Sequence, residues 1–104
     1  MNSVSLIGRL TKDPEVAYTK GNDPKAVTKF TLAVNRRFNR EQADFIRVVC
    51  WQKLAEIVAE HCTKGSQVGV VGRIETGSYE KDGKTVYTTE VVADEVEFVG
   101  KKAE

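Results

Sequence analysis

The segment "DFIRVVCWQKLAEIVAEHCTKG", Asp44–Gly65, changes its hydrophobic period midway. From Asp44 to Trp51 the pattern has period two, so Ile46, Val48 and Cys50 share one side of a strand, and Phe45, Arg47, Val49 and Trp51 share the other. From Trp51 onward, Leu54, Ile57, Val58 and Cys62 fall at i, i+3, i+4 and i+8, one stripe of a helix of about three turns. Lys64 and Gly65 suit the end of that helix, where a cation meets the dipole and glycine accepts a left-handed turn. The Ile46 side is an unbroken apolar face and fits a core. The other side sets an arginine between two rings. Burying that guanidinium unpaired costs several kcal/mol, so the Phe45–Arg47–Trp51 side is expected to face outward.

Upstream, "VSLIGRL" (Val4–Leu10) reads as a first strand closed by the turn-prone "TKDPE", with "VAYT" a short continuation and "KGNDPK" (Lys20–Lys25) a loop. In "AVTKFTLAVN", Phe30, Leu32 and Val34 alternate with Thr31, Ala33 and Asn35, a second strand. Downstream, "SQVGVVGRIETGSY" returns to alternation with Val68, Val70, Gly72 and Ile74 on one side. "EKDGK" carries the Asp-Gly pair of a tight hairpin, and "TVYTTEVVADEVEFV" is a last long strand. Three strands, a helix and two strands give the element order of a mainly β, five-stranded OB-fold Greek-key barrel, with its helix between strands three and four, although other small α+β domains can be written from the same elements. One domain is expected over 1–100, followed by a short C-terminal tail over 101–104.

The chain has 104 residues, 40% hydrophobic and 30% charged, which suits one globular domain with a modest core. No run of about 18 apolar residues predicts a membrane span. The N-terminus lacks the pattern of a secretory signal, so a cytoplasmic protein with reduced, buried Cys50 and Cys62 is expected. Net charge is +1, but the first 53 residues carry ten Lys/Arg against five Asp/Glu, and the remaining 51 carry six against ten. The aromatic stretch "NRRFNREQADFIRVVCW" (Asn35–Trp51) lies in the basic half.

Outward rings flanking an arginine form a platform on which bases stack while guanidinium groups meet phosphate. Phe45 and Trp51 belong to it. Phe38 stands in the preceding loop among Arg36, Arg37 and Arg40, too polar a setting for a core. Tyr79, just before the hairpin turn, adds a fourth ring if the hairpin folds over the groove. The plainer reading puts Trp51 and Phe45 in the core and leaves Tyr79 an ordinary surface residue. Other chemistry is sparse. His61, Cys62 and Cys50 lack the paired short spacing of a zinc site. There is no phosphate-binding glycine loop that ends in Lys-Ser/Thr and no Ser-His-Asp set with plausible placement. Neither an enzyme nor a cofactor or metal is expected.

"SLIGRLTKDPE", "FTLAVNR", "LAEIVAEHCTKGSQV" and "YTTEVVAD", in this order, resemble the bacterial single-stranded DNA-binding protein family over about residues 2–100. The resemblance implies an OB-fold that assembles as a homotetramer and wraps single-stranded DNA without strong sequence preference, in replication, recombination or repair. It implies stacking positions at Phe38, Phe45, Trp51 and Tyr79 and a DNA-contacting cation at Arg47. The further cations expected at the interface are Arg37, Arg36, Arg9, Lys12, Lys53 and Arg73. The chain departs from the family in a longer "KGNDPK" loop and a shorter "NREQA". It also has Glu75, Gly77 and Ser78 near Tyr79, where many members place basic groups. It ends at "VGKKAE" without the usual linker and acidic tip, so enzymes recruited through that tip are not expected to bind it, whether the chain is truncated or naturally short. Two alternatives stay open. An RNA-binding or primosomal OB-fold module would share the platform and be told apart by competition between matched DNA and RNA. A protein-interaction domain would bind in a salt-insensitive way, or not bind nucleic acid at all.

Overall fold

The computed structural model describes residues 1–39 and 41–99; Arg40 and the tail expected over 101–104 lie outside the described residues. Seven elements follow in order: β1 (Val4–Leu10), β2 (Glu15–Tyr18), β3 (Ala26–Asn35), β4 (Ala43–Trp51), α1 (Gln52–His61), β5 (Gln67–Lys81) and β6 (Lys84–Phe98). Strands β1-β5-β6-β4-β3 lie side by side, and β1 meets β3 again through Arg9↔Ala33 and Leu10↔Leu32, which closes a five-stranded barrel. Among the described residues only β4 and β6 run parallel. This is the expected OB barrel, with its helix between the third and fourth barrel strands. The continuation "VAYT" is a strand in its own right. After the bend at Thr11–Pro14 the chain re-pairs with the opposite end of β3, Glu15↔Lys29 to Tyr18↔Ala26.

The core is built from the inward sets of the strands and one face of α1. Leu32, Val48, Val58, Val68 and Val70 are the largest apolar side chains wholly out of solvent. Thr28 is buried among them, and its hydroxyl donates to the Ala55 carbonyl (2.8 Å). That bond ties β3 to α1 and spares the core an unpaired polar group. Closing so small a barrel brings backbones into contact. A Cβ at Gly8 would strike the Ala33 carbonyl where β1 crosses β3, and one at Gly72 would strike the Val92 carbonyl at the irregularity between Val71 and Gly72.

The ends of α1 differ from the expectation. Gln52 enters it in a left-handed conformation (φ 59°) directly after extended Trp51. That is an unfavourable geometry for a residue with a Cβ, and it turns the chain sharply from strand to helix. The helix ends at His61. Cys62 is already extended and points its thiol into the core, with its N–H donating to the Val58 carbonyl (3.0 Å). Lys64 and Gly65 therefore lie beyond the helix and not at its cap. They stitch the following turn to the first strand: the Lys64 N–H donates to the Asp13 carboxylate (2.7 Å) and the Gly65 N–H to the Leu10 carbonyl (2.8 Å).

Strands β5 and β6 are each 15 residues long and outrun the barrel. Asp82 (φ 54°) and Gly83 (φ 78°) are both left-handed, the backbone of a type I′ hairpin. Every residue from Ile74 to Thr85 is exposed, so this part is a two-stranded arm. Ile74, expected on the buried side, has the correct parity but is 43% exposed, because the core ends at the arm's root. No helix among the described residues is long and apolar enough to cross a membrane.

Candidate nucleic-acid interface

On β4 the alternation read from the sequence holds. Phe45, Arg47, Val49 and Trp51 lie opposite Ala33, Thr31, Lys29 and Val27 of β3, all on the outer face. Phe45 is 68% and Trp51 41% exposed. Val49 is the exception on this side, at 3% exposed. On its other flank β6 runs parallel with Val49↔Val92, and Val92 is buried too. A short branched side chain set among the side chains of paired neighbours on both flanks stays below their level, whereas the long rings at Phe45 and Trp51 stand clear.

The same face continues across β6 into β5. Val92 faces Arg73, Glu90 faces Glu75, Val86 faces Tyr79 and Lys84 faces Lys81. By strand parity, Tyr79, half exposed, therefore looks out on the side that carries Phe45 and Trp51. Three cations of this face escaped the sequence reading. Lys29 alternates with buried Phe30 and lies across from Val49. Lys81 has the parity of Tyr79, and the Asp-Gly turn pairs it with Lys84. The signals were present, since alternation and hairpin register place all three. On this face the arm carries two lysines near its tip, with Glu80 on the opposite parity and Asp82 in the turn, although Glu75 and Glu90, like charges directly opposed, interrupt the strip nearer the barrel.

Phe38 crowns the loop between β3 and β4 and is 94% exposed. The guanidinium of Arg37 lies over its ring, 5.8 Å from the centroid, a cation–π contact. Arg36 has a different task. Its Nε and Nη2 both donate to Asp44 Oδ1 (3.1 and 2.9 Å) and its Nη1 to Gln42 Oε1 (3.1 Å). It fastens the foot of the loop and leaves Arg37 and Phe38 projecting.

The remaining expected cations separate in the same way. Arg47, Lys12 and Lys29 surround a groove of about 280 Å³, with Thr31 and Glu90 also on its wall, and none of the three has a carboxylate within ion-pair distance among the described residues. Arg73 is held by two acids, Asp94 (2.9 Å) and Glu75 (3.2 Å). Its charge is therefore locally overbalanced and ill placed to meet a phosphate. Arg9 neighbours Ala33 on the outer face and donates to the Gly65 carbonyl (3.0 Å). Lys53 is exposed at the start of α1. The two thiols are free and buried, and burial pushes Cys50 up to about 12 and raises Cys62 as well. Both belong to the core and not to this surface.

A face with exposed rings at separate stations, unpaired cations between them and a shallow open groove matches an extended anionic chain with flat side groups. Three relatives match nearly the whole of this chain. A single-stranded DNA-binding protein of Clostridium tetani is 57% identical over 103 residues, covering 95% of this chain and 70% of the relative. A single-stranded DNA-binding protein 3 of Listeria innocua is 53% identical, covering 98% of this chain and 66% of the relative. A single-stranded DNA-binding protein of Bacillus cereus is 54% identical, covering 95% and 60%. The model of the single-strand binding protein family matches residues 1–99. With these matches running along nearly all of its length, the chain belongs to the single-strand binding protein family.

Proposed function

We propose that this chain binds and protects single-stranded DNA with little sequence preference, stacking bases on Phe45, Trp51, Phe38 and Tyr79 while Arg47, Arg37, Lys12, Lys29, Lys81 and Lys84 meet phosphates. The carrying observation is that Phe45 and Trp51 project from one face on either side of Arg47, uncovered by any core. Base–aromatic stacking tolerates any sequence because every base has a π-face, and phosphate contacts add salt-sensitive affinity. The names of the relatives support this reading, which extends to roles in replication, recombination or repair in the cytoplasm.

The same proposal includes a homotetramer. Among the described residues β1 leaves Val4–Gly8 unpaired on one edge, and its outer neighbours Ile7 and Val71 are exposed. Free edges and small barrels are both stabilised by assembly. Light scattering at micromolar concentration should give about four times the 11.6 kDa chain mass; a monomer would refute this part. Trp51 is the sole tryptophan, so its fluorescence tests the main claim directly. Oligo(dT) should quench it strongly and an equal mass of duplex should not. Unchanged emission with oligo(dT) would refute stacking at Trp51, and preference for a matched RNA would redirect the reading to RNA.

A further inference from the structure

The arm that carries Tyr79 has a weak root. Up to Gly72, β5 is paired on both sides, with β1 and with β6; from Arg73 outward, among the described residues, it has β6 alone. A two-stranded ribbon is the most freely twisting form of sheet, and this one leaves the barrel next to a register shift between Val71 and Gly72. The third strand stops one rung short, because β1 ends its ladder at Val4↔Gly72. The next β5 residue to turn its backbone groups to that side is Ile74. Its N–H donates to Asn2 Oδ1 (2.8 Å), and Asn2 Nδ2 donates to its carbonyl (2.8 Å). One side-chain amide thus supplies both hydrogen bonds of a missing strand.

We infer that Asn2 is a positioning residue for Tyr79: its amide pins the arm's root and so holds the ring in register with the platform on β4. This inference rests on the DNA-binding reading above. Tyr79 lies five residues beyond Ile74, about 17 Å along an extended strand, so a swing of about 10° at the root displaces the ring by about 3 Å. Ring pairs interact with centroids about 4.5–7 Å apart, so a displacement of about 2.5 Å already spans the whole range. A looser root therefore loses the contact while the barrel is untouched.

The experiment is a double-mutant cycle in the full chain, with Asn2→Ala, Tyr79→Ala and the pair, titrated with oligo(dT) through Trp51 fluorescence. Asn2→Ala should weaken binding about threefold to tenfold, part of one stacking contact, and should add nothing in the Tyr79→Ala background. Asn2→Asp, which keeps the acceptor for the Ile74 N–H and loses the donor, should fall between. Amides of residues 75–90 should exchange faster in Asn2→Ala, with the melting temperature nearly unchanged. Additive losses in the cycle, or unaltered exchange in the arm, would overturn the inference. If wild-type protein binds no oligo(dT), the DNA-binding reading fails instead, and the exchange measurement still decides whether Asn2 pins the arm.

Discussion

Phe30 and Phe45 lie on adjacent strands and point to opposite sides of the same sheet, so truncating each to alanine separates folding from binding. Phe30 is 7% exposed and belongs to the core cluster. Its loss should cost about 3–5 kcal/mol of stability, the transfer free energy plus a cavity. Phe45 is 68% exposed, so only about a third of the ring leaves water on folding and its removal opens no cavity. At about 25 cal/mol per Å² of apolar surface, its truncation should cost about 1–2 kcal/mol of stability, well under the loss at Phe30. If a base stacks on Phe45, the cost appears in binding, about 1–3 kcal/mol, or about fivefold to 150-fold in Kd. Trp51 remains as the reporter in Phe45→Ala, so Kd for oligo(dT) is measured by fluorescence at several salt concentrations beside a thermal melt. The loss should persist at high salt, because a ring releases no counterions. A Phe45→Ala protein that binds as wild type does, or that melts as early as Phe30→Ala, would refute the argument that this face is a stacking surface.

Three further outcomes are expected. Arg47→Ala should flatten the log–log salt dependence of oligo(dT) binding by about 0.7 for each lost phosphate contact, while Arg73→Ala should change the slope little because Asp94 and Glu75 already hold that guanidinium; equal slopes for the two variants would contradict this division. Gly72→Ala should destabilise the fold by about 1–3 kcal/mol in urea titration, since its new Cβ meets the Val92 carbonyl in a backbone contact that cannot give way cheaply; an unchanged midpoint would disprove the close approach. Cys50, pushed up to about 12 by burial with Cys62 adding to the rise, keeps its proton in the folded chain. Its contribution to stability is thus complete below the ordinary thiol pKa of about 8.5 and is lost as pH climbs through that value towards the folded one. Melting temperature should fall over that alkaline window, and less steeply in Cys50→Ala; identical slopes would show that the thiol is not the group responsible.

Alternation along a single strand is a local property of the backbone, and for that reason the sides of β4 were legible in the residues alone. Arg47 between Phe45 and Trp51 cannot turn inward without an uncompensated charge, so that face had to be the outer one. The Asp-Gly turn was equally local, because few residue pairs accept two left-handed conformations in succession. What depended on partners distant in the chain was not legible. Arg73 loses its free charge to Asp94, 21 residues away, and Arg36 gives its own to Asp44 across a loop; net charge and spacing do not reveal which cation finds which acid. Val49 shares the outward parity of its neighbours, and only the parallel pairing of β4 with β6 buries it. Lys81, Lys84 and Tyr79 join the same surface as Phe45 only because the β5–β6 ladder carries one face of the barrel out along the arm. The faces of each strand followed from its own period of two, whereas the union of those faces into one surface followed from strand register and closure, which belong to the folded chain as a whole.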